Sequence, residues 1–548
     1  MKIGNFTEMI EGSIRNHWEL KSMSLFQGDG YTYKEVGKKI LQLHKLFEQS
    51  GIRSGDKISL IGTNDYTWCS VYLATVTYGA VIVPILQDFH PNDVVNVIEQ
   101  SDSKLLFISN HIYKKINTKN LRQIEGIISL DTLNVIESSN KSLNDIVIDS
   151  LHTDIKVDKE TFKLPKNSND KIAVISYTSG TSGFSRGVML PHMSLAANVQ
   201  FALDFIDLKP KDTIVSFLPL AHAYACAFEF LSTFTMGCDI TFLGKVPSPT
   251  IILQAFKEVK PRLIFVVPLI IEKIYRAKIQ PKISKGLVKY LIKIPLVNTL
   301  IYSKINRELT TAFGDNFMEI IIGGAALNSE VEKFLNKIKF RYTVGYGMTE
   351  CGPLISYAPW REVRKYSCGK AIPCVTVKID SPDPENIVGE ILVKGDNVMK
   401  GYYKNEEITE ATISPDGWLH TGDLGVVDKD GYLFIKGRSK NMILSSSGQN
   451  VYPEEIEAKS NNLPYVLESL VVEKDGKLFA LIVVDRDAVN AAGITEDKLK
   501  AIMDQNHKHL NSHLPNYMKV NKFIIHDDEF EKTAKRSIKR FMYDSVNG

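Results

Sequence analysis

Five serine and threonine hydroxyls, three glycines and one arginine fall within the twelve residues Tyr177-Thr178-Ser179-Gly180-Thr181-Ser182-Gly183-Phe184-Ser185-Arg186-Gly187-Val188. Glycines let successive backbone N–H groups turn into one concavity that accepts an anion. The hydroxyls add donors and Arg186 a fixed positive charge, so the ligand that suits this run is a polyphosphate. It is not a Walker loop, because no Gly-Lys-Ser/Thr follows a four-residue spacer. Gly/Ser/Thr-rich runs also serve as plain flexible loops, so the other chemistry-bearing runs must decide. In Tyr346-Gly347-Met348-Thr349-Glu350 an aromatic ring, a glycine, a hydroxyl and a carboxylate could serve a purine face, a phosphate and a metal. Magnesium keeps waters and substrate phosphates among its ligands, so the single carboxylate of Glu350 suffices. In Trp418-Leu419-His420-Thr421-Gly422-Asp423 the aspartate can accept two hydrogen bonds from a vicinal diol.

The elements that must position these groups show a βαβ rhythm. Tyr33 to Phe47 carries apolar residues at helical spacing, Lys57–Ile61 reads as a strand and Trp68 to Tyr78 as a buried helix. Further strands are expected at 80–84, 105–108, 213–217, 263–267 and 319–322, which implies parallel sheet with helices on its faces. The phosphate-type run follows directly on the apolar strand Ile172-Ala173-Val174-Ile175. From about Gly389 the texture turns to short strands with Gly and Asp turns, a small β-rich unit. After Gly437-Arg438-Ser439-Lys440 about 110 residues mix strands with amphipathic helices, the size of a separate lid domain.

At 548 residues the chain exceeds one ordinary core. Its 44% hydrophobic and 24% charged residues are those of a globular protein, and a net charge of +3 argues against nucleic acid as partner. The six cysteines show no metal-ligand spacing and read as reduced. No secretory signal, membrane-spanning window or C-terminal address is apparent, so the expected location is the cytoplasm. Lys282, Lys285, Lys289 and Lys293 would share one face of a helix over 282–293. Such a face reads either as peripheral contact with an anionic membrane or as an ordinary surface on which lysines snorkel.

Taken in order, these motifs resemble the adenylate-forming superfamily, which includes acyl-CoA synthetases, luciferases and peptide-synthetase adenylation domains, and most of all its long-chain fatty acid–CoA ligases. The resemblance covers roughly residues 10 to 545. Against the family's phosphate loop, Ser182 stands for a threonine, Ser185 for a proline and Arg186 for a lysine. The resemblance implies that Thr178, Ser179, Gly180, Thr181, Ser182 and Gly183 bind ATP phosphates, with Thr349 at the phosphates and Glu350 on Mg2+. Gly323-Gly324-Ala325-Ala326-Leu327 is similar to the family's adenine loop, which assigns Gly324, Ala325, Ala326, Tyr346 and Gly347 to the base. By the same likeness Asp423 and Arg438 take the ribose and Lys440 is a hinge. The loop Ser447-Gly448-Gln449 then meets the CoA pantetheine, and His222 in Leu218-Pro219-Leu220-Ala221-His222 lies near the carboxylate.

One motif departs. The family ends in Lys-Thr-x-x-Gly-Lys-Ile-x-Arg, whose second lysine contacts the acyl carboxylate and α-phosphate. Here Lys532-Thr533-Ala534-Lys535-Arg536-Ser537-Ile538-Lys539-Arg540 aligns without gaps and puts Ser537 at that lysine. A missing charge-stabilising donor costs about 10²–10³ in rate, and Lys535 is the candidate to replace it.

The resemblance implies an α/β fold: a large N-terminal domain of α/β/α sheets plus a small β-barrel (residues 1–437, β-rich from about 360), and a mobile smaller α+β C-terminal domain (438–548). It implies an ATP-dependent acyl-CoA synthetase for a medium- to long-chain fatty acid, using ATP, Mg2+ and CoA. Two alternatives stand beside it: an aryl-CoA or acyl-carrier-protein ligase of the same superfamily, and a binding protein impaired through Ser537.

Overall fold

The structure is a computed structural model that describes residues 1–179, 185–284, 288–292, 294–295, 297–444, 449–533 and 538–543. Five apolar runs form the parallel centre of a seven-stranded sheet: Gly126–Ser129, Ser103–Ile108, Lys57–Ile61, Val81–Ile85 and Ile172–Ser179, in that spatial order. Antiparallel strands Val135–Ser138 and Ser185–Pro191 close its two edges. The helix Tyr33–Gln49 begins at a capping box, in which Thr32 and Glu35 satisfy each other's backbone N–H. The helix Tyr66–Tyr78 is buried at every position from Trp68 to Thr77. It is apolar on all sides, and Trp68 and Tyr72 both meet Phe230 edge-on.

A second group of strands runs Gly30–Thr32, Lys21–Leu25, Asp239–Phe242, Thr213–Ser216. The Arg262 N–H donates to the Thr213 carbonyl at 2.8 Å and joins it to the parallel strands Leu263–Val266, Glu319–Ile322 and Tyr342–Val344. Antiparallel strands then take over, starting at Tyr346–Gly347 and Leu354–Tyr357, upstream of the expected residue 360. They meet the four-stranded sheet of Val375–Asp380, Gly389–Gly395, Leu419–Val427 and Leu433–Arg438 through a bridge between Lys370 and Tyr432.

The smaller C-terminal domain builds its own cores. Its sheet of Val466–Lys474, Lys477–Val484 and Val520–His526 packs with the helices Pro453–Ser460 and Glu496–Ser512. The two apolar clusters there, around Ile482 and Leu481, draw on no residue before Ile443. Of the basic stretch expected as one helix over 282–293, the described residues include the helical segments Gln280–Ser284 and Val288–Leu291, and Lys285 and Lys293 lie outside the described residues. No helix among the described residues is long and apolar enough to cross a membrane.

Candidate nucleotide and acyl site

The phosphate-type run closes a β-hairpin. Strand Ile172–Ser179 pairs with Ser185–Pro191 so that Thr178 faces Arg186 and Ser179 faces Ser185. Directly paired residues share a face, so Thr178 and Arg186 stand on the same side of the hairpin. Gly187 is needed here, because a Cβ would meet the Tyr177 ring at 3.0 Å and Ile175 at 2.8 Å. Gly180, Thr181, Ser182 and Gly183 lie outside the described residues.

Two clusters converge on the Tyr346–Glu350 segment. In the first, Arg186 stands over the Tyr402 ring, 5.7 Å from its centroid, and the Tyr402 hydroxyl donates to Glu350 Oε1 at 2.9 Å. Tyr402 reaches this position because Gly401 and Tyr403 hydrogen-bond the backbone of Met189 and Gly187 on the hairpin. The Glu350 carboxylate fits a divalent cation: it is half-buried, one oxygen is oriented by Tyr402, and lone pairs remain on the carboxylate. Its turn, Thr349–Cys351, rests on the helix His192–Phe205. There buried Asn198 donates to the Cys351 carbonyl and accepts from Leu354 N–H at 3.0 Å. Gly352 follows at φ +57°, with a space that a Cβ would share with the Ser194 hydroxyl.

In the second cluster the Tyr346 hydroxyl donates to Asp423 Oδ2 at 2.8 Å, and Arg438 Nε donates to Asp423 Oδ1 at 3.0 Å. Asp423 and Tyr346 are both buried, whereas the Arg438 side chain is 64% exposed and reaches from the surface. Burial, followed by the neighbouring carboxylate, pushes the Tyr346 phenol well above its usual range, so it stays a donor. Glu390 holds the Thr421-Gly422-Asp423 turn by accepting Gly422 N–H at 2.9 Å, with His420 Nδ1 3.0 Å from its other oxygen.

The Gly324 loop lies beside these groups. Gly345 N–H donates to the Ile322 carbonyl at 2.9 Å, which sets Tyr346 next to the end of the strand Glu319–Ile322. Gly324 has φ +86°, and Gly324, Ala325 and Ala326 are exposed. Gly323 is covered by the Tyr224 ring, 3.0 Å from where its Cβ would stand, and Tyr224 donates to the Ile321 carbonyl at 3.0 Å. Tyr224 therefore brings half-buried His222 to the same edge. The segment carrying His222 is pinned by Asn64, which accepts from Leu220 N–H at 3.0 Å and donates to the Leu218 carbonyl at 2.7 Å. It is pinned as well by fully buried Glu229, whose Oε2 accepts from Ser216 Oγ at 2.8 Å and from Leu218 N–H at 3.3 Å.

A narrow apolar cavity of about 20 Å³ lies behind this edge. Val174 and Leu190 of the hairpin, Leu220 and Ala223 beside His222, Cys226 and Gly352 help to line it, and Tyr72 contributes a ring. Cys226 belongs to the π-helical turn Cys226–Ser232, a geometry found often at functional sites.

Lys440 is exposed in the turn Ser439–Asn441, where Asn441 donates to Glu454 Oε1 at 2.6 Å. Gln449 is exposed beside the strand Asn450–Val451, and Ser447 and Gly448 lie outside the described residues. So do Lys535 and Ser537, whereas the residues that flank them are described. Lys532 pairs with Ile538 as a β-bridge and with Glu468 at 2.8 Å, while Arg540 bonds Glu457. The described residues on either side, Lys532 and Ile538 to Arg540, are thus held to the C-terminal domain.

Sequence reasoning passed over Tyr402, Glu390, Tyr224 and Glu229. None carries a local signal, since each acts on a residue that is distant in the chain or on backbone.

The model of the AMP-binding enzyme family matches residues 15–403, and that of the AMP-binding enzyme C-terminal domain matches 440–544. The chain belongs to the AMP-binding enzyme family and has the adenylate-forming fold. Among curated relatives it is 28% identical over 451 residues to luciferin 4-monooxygenase of Photuris pensylvanica (80% of this chain, 76% of the relative). It is also 28% identical over 466 residues to long chain acyl-CoA synthetase 3 of Arabidopsis thaliana (78% and 69%). Among solved structures it is similar to ATP-bound MatB from Rhodopseudomonas palustris, with a TM-score of 0.79 and 23% identity over 99% of this chain and 98% of that one.

Proposed function

We propose that the chain is an ATP-dependent acyl-CoA synthetase that activates a medium- to long-chain fatty acid. The observation that carries this reading is the apolar cavity, which shares Gly352 with the Glu350 turn and Leu190 with the Arg186 hairpin. Its lining is predominantly apolar, which suits an alkyl chain rather than a polar acid.

In this reading ATP lies with its adenine on Gly324, Ala325, Ala326 and Gly347 beside Tyr346, its ribose diol on Asp423 and Arg438, and its phosphates in the Thr178–Gly183 loop with Arg186 and Thr349. A magnesium ion held by Glu350 would neutralise phosphate charge. The fatty carboxylate, guided past His222, is already a nucleophile and needs no general base. Its oxygen bonds to the α-phosphorus as the α–β bridging P–O bond breaks and pyrophosphate leaves. Positioning and charge neutralisation do the catalysis, with Lys535 offered to the α-phosphate in place of Ser537. The C-terminal domain then turns about Lys440 and presents Ser447, Gly448 and Gln449 to CoA. The thiolate attacks the acyl carbon, the bond to AMP breaks, and acyl-CoA and AMP are released.

Pyrophosphate release from ATP across C2 to C18 fatty acids and benzoate, with and without CoA, tests this. A maximum at one fatty acid length, with acyl-CoA as product, is the expected result. A maximum at benzoate would make the enzyme an aryl-CoA ligase. No release despite ATP binding, restored by Ser537→Lys, would identify an impaired homologue.

A further inference from the structure

Between Glu272 and Glu308 the chain carries seven lysines, two arginines and no acidic residue. That +9 stretch exceeds the +3 of the whole chain, so everything outside it is net acidic. The same region concentrates exposed apolar side chains: Leu269, Tyr290, Leu291, Ile294 and Leu300 all stand in solvent, Tyr290 at 67% and Leu300 at 73%.

The inner side of this region is accounted for. Tyr275 and Tyr302 meet the Phe334 ring at 5.2 and 6.4 Å, and Ile305 and Leu309 of the helix Val297–Ala312 are buried. Lys282 bonds Glu308 at 2.6 Å and sets the short helix Gln280–Ser284 beside Val297–Ala312. On the outer side Leu300 and Lys304, four residues apart on that helix, are both exposed, as are Lys273 and Lys282. Apolar and basic side chains thus share one outward surface.

We infer that this face docks on an anionic lipid surface. The charge is complementary to acidic headgroups, and the aliphatic and tyrosine side chains suit shallow insertion at the headgroup boundary. Lysine, which the described face presents at Lys273, Lys282 and Lys304, is depleted from protein–protein interfaces, whereas its long stem lets an ammonium stay at a membrane surface while neighbours insert. No spanning helix is required. The inference stands whatever acid the enzyme activates.

The test is co-sedimentation of the full chain with vesicles of pure phosphatidylcholine and with vesicles of equal phosphatidylcholine and phosphatidylglycerol. Binding is expected to the anionic vesicles alone and to be lost in about 1 M salt. Each charge near such a surface is worth about fivefold in partitioning, so Lys273→Ala with Lys304→Ala should weaken binding about 25-fold. Tyr290→Ser with Leu300→Ser should weaken it too, with ATP binding and melting temperature unchanged in both pairs. Equal binding to neutral vesicles, no binding to either, or indifference to both variant pairs would overturn the inference. Capture of a purified acidic carrier protein without vesicle binding would overturn it as well and reassign the face to a protein partner.

Discussion

Tyr346 and Asp423 lie 77 residues apart in the chain, yet the tyrosine hydroxyl donates to the aspartate at 2.8 Å inside a buried site. The bond ties the parallel-sheet region, from which Tyr346 emerges, to the antiparallel sheet that carries Asp423. It also orients the carboxylate, with Arg438 on its other oxygen. A carboxylate has about four acceptor positions, so two protein donors still leave room for a diol.

Tyr346→Phe keeps the ring and removes only that donor. A hydrogen bond to a charged group is worth about 1.5–3 kcal/mol, and Arg438 retains part of the orientation. The KM for ATP should rise about tenfold with little change in kcat, read from pyrophosphate release. An unchanged KM would show that the bond serves only the fold.

Tyr402 joins the Arg186 cation to the Glu350 carboxylate, and two substitutions separate its roles. Tyr402→Phe keeps the ring under Arg186 and loses the hydroxyl on Glu350, so the magnesium concentration giving half-maximal rate should rise while the rate at saturation falls less than about tenfold. Tyr402→Ala removes the platform too and should cost about 10², the scale of one electrostatic stabiliser. If the two variants behave alike, the ring contributes nothing.

The strands of both parallel sheets were legible because period-2 and all-apolar runs report burial directly: Lys57–Ile61, Leu263–Val266 and Glu319–Ile322 fall where the pattern puts them. The Glu350 and Asp423 turns were singled out by resemblance to family motifs in order, since Thr-Gly-Asp or Tyr-Gly-x-Thr-Glu alone is a common turn. What stayed hidden was long-range pairing. Nothing local marks Tyr402 as the neighbour of Arg186, 216 positions earlier, since that contact exists only once Gly401 and Tyr403 join the hairpin.

Arg540 matches the last arginine of the family's C-terminal motif, but its contacts are structural. It bonds Glu457, which is buried and also accepts Val471 N–H at 2.7 Å. Burial is the largest influence on that carboxyl and raises its pKa, opposed by Arg540. Arg540→Met would strand a buried carboxylate, a loss of about 3–5 kcal/mol. Thermal melting should show the C-terminal domain unfolding early, while the double variant with Glu457→Met recovers most of the loss. A single variant as stable as the parent would contradict this reading.

Glu229 gives the clearest pH signature. Its carboxyl is fully buried on the π-helical turn, and burial, only partly opposed by Ser216 and the Leu218 and Phe217 backbone, pushes its pKa well above the ordinary 4.5. In the folded chain it therefore keeps its proton above pH 4.5, while in the unfolded chain it loses it. The native state then binds more protons, so this residue lowers stability as pH rises from 4.5 toward the raised value, by about 1.4 kcal/mol per pH unit. Glu229→Gln keeps an acceptor for Ser216 and Leu218 but cannot ionise. It should be more stable than the parent at neutral pH and equal to it near pH 4, with the slope between them removed. Glu229→Leu also removes the slope but orphans the Ser216 hydroxyl and the Leu218 N–H, and so loosens the segment that carries His222. It should therefore raise the KM for the acid where Glu229→Gln does not. Urea titrations across pH, read beside the two KM values, separate the charge of Glu229 from its grip on that segment. A slope that survives in Glu229→Gln would place the titrating group elsewhere.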